Sequence, residues 1–332
     1  MHVLANGLSG VPALTNYQGA TEIHCLVQRD SDAGALTSNP SVRLVEGDVT
    51  DPLSLERFLA DAQSGVLIHC AGLIHPRWAV SEFRRTNAEG TANVVGAAVK
   101  AGVRRIVHVS SNSPFGCNPA PDHEFDETSP YNPYMGYGRS KKAAEDAVNA
   151  AGQAGNIETA IIRPPWFYGP HQPPRQTLFF RMIREGRFPI IGSGENRRSM
   201  AYVDNICQAL LLCAVKPEAN GRTYWIADCR PYSMNEIVAT VETVLKEDFG
   251  LAISGRRVRL PGIVGDMAYA ADAMLQGLGL YIQKIHVLSE MNKTIACSIA
   301  RAERELGYHP QIALREGMRR SVEWALANGI GI

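Results

Sequence analysis

The sequence is poor in the features that mark several classes of protein. Its seven cysteines, Cys25, Cys70, Cys117, Cys207, Cys213, Cys229 and Cys297, are odd in number and contain no Cys-x-x-Cys pair. That pattern argues for reduced thiols of a cytoplasmic protein over a disulfide frame or a zinc ribbon. Cys25 and Cys70 lie in apolar runs and are read as core residues. Neither sign of charge dominates, with 33 Lys and Arg against 33 Asp and Glu, so no nucleic acid is expected as a partner. No apolar run reaches the roughly 18 residues that span a bilayer. The run 206–215 is too short and holds Gln208, and no membrane partner is expected. The N-terminal Met-His-Val-Leu-Ala has no basic stretch ahead of a long apolar one, so no signal peptide is read there. The nine histidines show no metal-ligand spacing, and no metal is expected. Internal repeats and low-complexity segments are also lacking.

What is present suits one large α/β domain with a smaller lobe: 332 residues, 45% hydrophobic and 20% charged. Short runs rich in Val and Ile at 3–5, 23–27, 42–45, 66–70, 106–109 and 159–162 are predicted as strands. They are apolar on both faces, as a parallel sheet covered on both sides requires. Helices are predicted between them at 53–62, behind Asp51-Pro52 as cap and first turn, at 88–101, ended by Gly102, and at 136–151. This alternation gives a doubly wound parallel sheet. Beyond Arg163 the prolines at 164, 165, 170, 173 and 174 crowd one stretch, so a long loop leaves the sheet. Residues 1–163 are read as a dinucleotide-binding domain and 164–332 mainly as a substrate-side lobe, with part of 197–230 returning to the main domain.

Gly7-Leu8-Ser9-Gly10 follows the first strand. Glycines there let the backbone turn tightly and approach a pyrophosphate at the next helix's positive end. The third glycine of the fingerprint is replaced by Ala13, and only residues 12–18 are left for the helix before Gly19. Gly47-Asp48-Val49 and Ala71-Gly72 sit at later strand ends, where such a sheet places a dinucleotide. After the second strand, Val27-Gln28-Arg29-Asp30 offers both Arg29 for a 2′-phosphate and an acid for a ribose 2′-hydroxyl, so the cofactor is read as NAD or NADP.

Tyr137 and Lys141 stand four residues apart and share a helix face. A free phenol titrates near pH 10. A neighbouring ammonium and a positive nicotinamide ring favour the phenolate, by roughly 2–3 pH units. The strand before ends in Ser110-Ser111, and either hydroxyl suits a hydrogen bond to a substrate oxygen.

Together these segments resemble the extended short-chain dehydrogenase/reductases, the group of NAD-dependent epimerases and dehydratases. The likeness runs through Gly7-x-x-Gly10, Asp48-Val49, Ala71-Gly72, Asn87-x-x-Gly90-Thr91-x-Asn93, Ser110-Ser111, Tyr137-x-x-x-Lys141, Arg163-Pro164, Tyr168-Gly169-Pro170 and Tyr202-Val203-Asp204. It implies a Rossmann sheet and an NAD(P)-dependent oxidoreductase or epimerase. It implies Ser111 over Ser110, Tyr137 as acid/base and Lys141 on the nicotinamide ribose. It further implies cofactor contacts at Asp48, Val49, Ala71 and Pro164. Asn87 resembles a position near the cofactor, with a plain helix N-cap as the other reading. A homodimer through the helices at 88–101 and 136–151 is implied as well.

Dehydratases of this group carry Thr-Asp-Glu where this chain has Ser111-Asn112-Ser113, so oxidation, reduction or epimerisation of a small molecule is expected and water elimination is not. Arg198 resembles an arginine that holds the pyrophosphate of a nucleotide sugar; solvated charges at a turn are the other reading of Arg197 and Arg198. Trp166 stands where nucleotide-sugar epimerases have Asn. With Phe167 and the 293–308 segment, it resembles the 3β-hydroxysteroid dehydrogenase-like or dihydroflavonol reductase-like branch and a less polar substrate. A non-catalytic nucleotide sensor is a third reading, favoured by the short first helix and opposed by the intact Ser-Tyr-Lys set. His171 is read as a loop residue.

Overall fold

The computed structural model describes residues 11, 14, 19–20, 22–31, 33–37 and 39–332. The strand expected at 3–5, the fingerprint residues Gly7 and Gly10, and Ala13 lie outside them. Five predicted strands are found within a residue of their expected ends: β1 (Ile23–Val27), β2 (Val42–Glu46), β3 (Val66–His69), β4 (Arg105–Val109) and β5 (Glu158–Arg163). β1 and β2 form one parallel pair. β3, β4 and β5 lie in a second parallel sheet, whose register puts His69 beside His108 and Val109 beside Ile162. Strand β3 ends one residue early, so Cys70 is exposed, not buried as expected, and Cys25 is only half-buried. All seven cysteines are free thiols.

Side chains alternate across the sheet as period two requires. Ile106 and Ile161 face one helical layer with Val95, Ala98 and Val148. Val107, Ala160 and Ile162 face the other, with Leu211 and Leu212. Full burial of each such side chain contributes about 1.5–3 kcal/mol.

The helices are α1 (Gly34–Thr37), α2 (Pro52–Phe58), α3 (residues 81–100) and α4 (Met135–Gln153). The Asp51 side chain accepts from Leu53 N–H, as the cap reading expects. α2 is shorter than predicted because residues 59–65 tighten into turns, with Ala62 N bonding Leu59 O and Gly65 N bonding Ala62 O. α3 opens at Ser81 instead of 88, since its first part is a wide π-turn stretch, Arg84–Glu89, that carries no Ala-rich signal. The expected helix at 136–151 matches α4 closely.

After the Pro-rich stretch the strands are short: β6 (Trp166–Tyr168) beside β9 (Met200–Tyr202), with β7 (Pro189–Ile191) and β8 (Arg197–Arg198) between them in the chain. Strand β10 (Arg222–Trp225) returns to pair with β5, giving the sheet order β10-β5-β4-β3. β11 (Tyr232–Ser233) pairs with β8 and β12 (Val258–Leu260) with β7. The later helices are α5 (Pro174–Arg184), α6 (Val203–Val215), α7 (Met234–Thr243), α8 (Ile263–Gly277), α9 (Gln283–Glu290), α10 (Ala300–Leu306) and α11 (Leu314–Ala327). A second apolar core, with Tyr168, Phe180, Met200, Ile237 and Val322, packs here.

Candidate active site

Parallel strands bring their carboxyl ends to one edge, and most of the expected site residues lie along it. Asp48 follows β2, Ala71 and Gly72 follow β3, Ser110 and Ser111 follow β4, and the buried Pro164 follows β5. Cys70, Ala71 and Gly72 are exposed, directly after the buried His69 that ends the strand. Ser110 Oγ is buried with no hydrogen-bond partner among the described residues. An open strip of small residues beside an unsatisfied hydroxyl fits a ligand laid across the strand ends. At the end of β1, Arg29 is exposed and ion-paired to Glu46 at 3.0 Å. Asp48 accepts from Thr50 N (2.7 Å), Thr50 Oγ1 (2.8 Å) and Gln28 Nε2 (2.8 Å). Burial opposes its charge, but these bonds win and hold its carboxyl below the ordinary range.

The Asn87-Gly90-Thr91-Asn93 segment clasps α3 to this edge. Asn87 is buried inside the helix and is not an N-cap. Its Oδ1 accepts from Leu73 N (2.7 Å), while Nδ2 donates to Leu73 O (2.9 Å) and Ser140 Oγ (3.0 Å). It therefore ties the loop after β3 to α4. A Cβ on Gly90 would lie 2.8 Å from the Val49 side chain, so glycine lets helix and loop touch. Asn93 Nδ2 donates to Val49 O (3.1 Å), and Thr91 Oγ1 bonds His69 Nε2 (2.9 Å).

Tyr137 and Lys141 lie on successive turns of α4. Tyr137 is half-buried, its ring 5.6 Å from Phe83. Lys141 is buried; Nζ donates to Val109 O (2.7 Å) and lies 3.3 Å from His108 Nε2. Burial pulls its ammonium down to about 8. Two buried histidines line the floor, His69 and His108, with rings 5.1 Å apart. Burial, and then the nearby ammonium, pushes His69 down to about 3 and His108 well below its usual range. Both are neutral near pH 7, so they offer Lys141 dipoles and no counter-charge. Sequence reasoning missed this pair. Its signal was a histidine at matching places in two adjacent strand runs.

The serine loop reaches the same helix through its backbone. Ser113 O accepts from Tyr134 N (2.8 Å), and a Cβ on Gly138 would lie 2.4 Å from Ser113 O. Glycine at 138 is thus what lets the turn bearing Tyr137 rest on residues 111–113. Ser111 is buried, and among the described residues its hydroxyl makes only long bonds: 3.4 Å to Asn112 Oδ1, 3.4 Å to Ser113 Oγ and 3.3 Å from Ser113 N.

In the later lobe, Trp166 and Arg198 come together, the guanidinium 5.6 Å from the indole ring. Arg198 Nη1 donates to Glu290 O at 3.2 Å. Arg197 is a structural anchor instead, bonded to Glu124, Pro121 O and His123 O. Both arginines are half-buried, which corrects the reading as solvated charges. His171 is exposed against Trp324, as a loop residue.

The profile of the NAD dependent epimerase/dehydratase family matches residues 6–227. The uncharacterized protein y4nL of Sinorhizobium fredii is 53% identical over 327 residues, covering 98% of this chain and 91% of that protein. N-acetyl-alpha-D-glucosaminyl-diphospho-ditrans,octacis-undecaprenol 4-epimerase of Escherichia coli O157:H7 is 32% identical over 205 residues, 60% of either chain. Among solved structures, DesIV, a dTDP-glucose 4,6-dehydratase from Streptomyces venezuelae with NAD and TYD bound, has a TM-score of 0.73 at 24% identity. It covers 96% of this chain and 90% of that one. The chain belongs to the NAD-dependent epimerase/dehydratase family and is an NAD(P)-dependent enzyme of the extended short-chain dehydrogenase/reductase type.

Proposed function

We propose that this enzyme interconverts a secondary alcohol and a ketone on a sugar carried by a diphosphate, a nucleotide sugar above all, with Tyr137 as acid/base. The observation that carries the reading is the packing of the serine loop on the Tyr137 turn through Gly138, with Lys141 buried one turn on. Tyr137 Oη takes the hydroxyl proton in the oxidising direction and returns it in the reducing one. The Lys141 ammonium, held by Val109 O, favours the phenolate electrostatically. Ser111 Oγ, bound only by long bonds, is free to turn its proton toward the substrate oxygen. When bound, the nicotinamide supplies the acceptor and donor of the hydride. NAD or NADP would be held by Gly7, Gly10, Arg29, Asp48, Val49, Ala71, Gly72, Lys141 and Pro164, with Asn87 fixing the loop beneath it.

Arg198 and Trp166 form one wall of the substrate side: a cation for a diphosphate, with only Nη1 engaged among the described residues, backed by an aromatic face. The named relatives act on a glucosaminyl group on a diphospholipid and on a dTDP-sugar, which supports this substrate class. Trp166 also favours a second reading, a less polar alcohol or ketone of the 3β-hydroxysteroid type. We take residues 1–163 as the nucleotide domain and 164–332 as mainly the substrate lobe; the pairing of β10 with β5 supports the return of part of 197–230. We also take the helices α3 and α4 as the contact of a homodimer.

The test is a fluorescence titration with NADH and NADPH, then a screen of nucleotide sugars and hydroxysteroids at the nicotinamide absorbance band. Turnover of a nucleotide sugar that is lost in Tyr137→Phe, with cofactor binding kept, is the expected result. Cofactor binding with hydroxysteroid turnover alone would transfer the assignment to the second reading. Indifference of Tyr137→Phe in every assay would mean a sensor.

A further inference from the structure

Strand β4 holds Lys141 at two points, and one of them is a side chain. An ammonium has three N–H donors and no acceptor. One donor goes to Val109 O at 2.7 Å and one to His108 Nε2 at 3.3 Å. With two donors held, tetrahedral geometry leaves the third a single direction, and it makes no bond among the described residues. Because the ammonium only donates, His108 Nε2 accepts, and the neutral ring carries its proton on Nδ1. That Nδ1 is buried and has no hydrogen-bond partner among the described residues. A buried donor left unmet costs stability. The strand's neighbouring residues, Ile106 and Val107, are fully buried and apolar. Packing therefore does not account for an imidazole at 108; the bond to Lys141 does.

The ring is braced in turn. His69 stands beside His108 in the register of β3 and β4, its ring 5.1 Å away, and His69 Nε2 bonds Thr91 Oγ1 of α3 at 2.9 Å. The lack of charge matters as much as the position. The titratable groups around the ammonium are His69 and His108 on the strands, Cys70 after β3, and Tyr137 and Glu145 one turn to either side on α4. Glu145 is engaged by Arg163 through both oxygens, and burial keeps both imidazoles neutral. A carboxylate at 108 would hold the ammonium equally well and cancel its field at a phenolate. A neutral acceptor holds it and leaves that field intact. We propose that His108 is a positioning residue of the proton-transfer site: its Nε2 fixes the Lys141 ammonium in place and keeps it charged without neutralising it. The inference rests on the reading of Tyr137 and Lys141 as the catalytic pair.

The test is NMR of the full chain with isotope-labelled lysine and histidine, beside the pH profile of kcat. Lys141→Met assigns the Lys141 signal and His108→Gln the His108 signal. In the wild type, His108 is expected to be neutral across the physiological range with its proton on Nδ1, and Lys141 to titrate near about 8. In His108→Leu the Lys141 midpoint should fall by about one pH unit, because the charged form loses a bond. The alkaline limb of the kcat profile, where the ammonium loses its proton, should fall with it. His108→Gln, whose amide oxygen reaches the place of Nε2, should restore most of both shifts. A His108 protonated on Nε2 overturns the proposal, and that is read in the wild type even where His108→Leu does not fold. A Lys141 midpoint unmoved in His108→Leu also overturns it. So does a shifted midpoint with an unmoved kcat profile, which would make His108 a structural anchor only. Failure of the underlying reading looks different: Tyr137→Phe would turn over like wild type, whatever the Lys141 midpoint does.

Discussion

Two successive turns of α4 bury a charge each and treat it in opposite ways. Glu145 meets a full counter-charge: Arg163 donates to both oxygens, at 3.0 and 2.7 Å, and Tyr131 Oη adds a bond at 2.7 Å. The guanidinium also lies 4.3 Å from the Phe115 ring. Lys141, four residues earlier, has a carbonyl and a neutral imidazole, and no ion pair among the described residues. Its depressed titration is the mark of that difference. The first site is a structural pair, in which each charge cancels the other's desolvation. The second holds an ammonium without an ion-pair partner among the described residues, which the proposed chemistry needs and stability does not.

The largest expected effect is on the chemistry. Tyr137→Phe should lower turnover by roughly 10³- to 10⁴-fold while cofactor titration is unchanged; activity close to wild type would remove the distinction drawn between the turns. Next, Glu145→Ala strands Arg163 and should cost about 3–5 kcal/mol in urea unfolding. Lys141→Met should remove activity yet leave stability equal or higher, since it exchanges an uncompensated charge for an apolar chain of similar length. Equal losses of stability in the two variants would refute the contrast. A subtler effect comes from pH. Folded Lys141 loses its proton near pH 8, whereas the unfolded chain holds it to about 10.4. Between those values the unfolded state binds more protons, so the Lys141 contribution to stability rises with pH, and Lys141→Met should lack that rise. Smallest is Asn87→Ala, which strands Leu73 N and O and should cost about 1–3 kcal/mol without abolishing cofactor binding.

Much of this was legible in the residues. Val- and Ile-rich runs fixed the strands because a doubly covered sheet admits few other compositions. The placing of Tyr137 and Lys141 on one helix, and of the serines at the strand end before it, was legible from their spacing, whereas their roles rest on the family resemblance and the proposed function. The start of α3 was not legible, since a wide π-turn breaks the 3.6-residue rhythm and its first anchor, Phe83, looks like any loop aromatic. The histidine floor was hidden because His69 and His108 sit in runs that read as plain apolar strand, and only register brings them together. Cys70 was misread because a strand's last residue shares the pattern of its core.

The close approach of Gly138 to Ser113 O has an evolutionary corollary. The spacing of the Tyr137 turn from the loop of residues 111–113 is set by main chain against main chain, so no side-chain substitution elsewhere can easily retune it. On the proposed function, descendants of such a chain are free to change what they recognise by remodelling the wall of Trp166 and Arg198, while the reaction itself is inherited unaltered with the backbone.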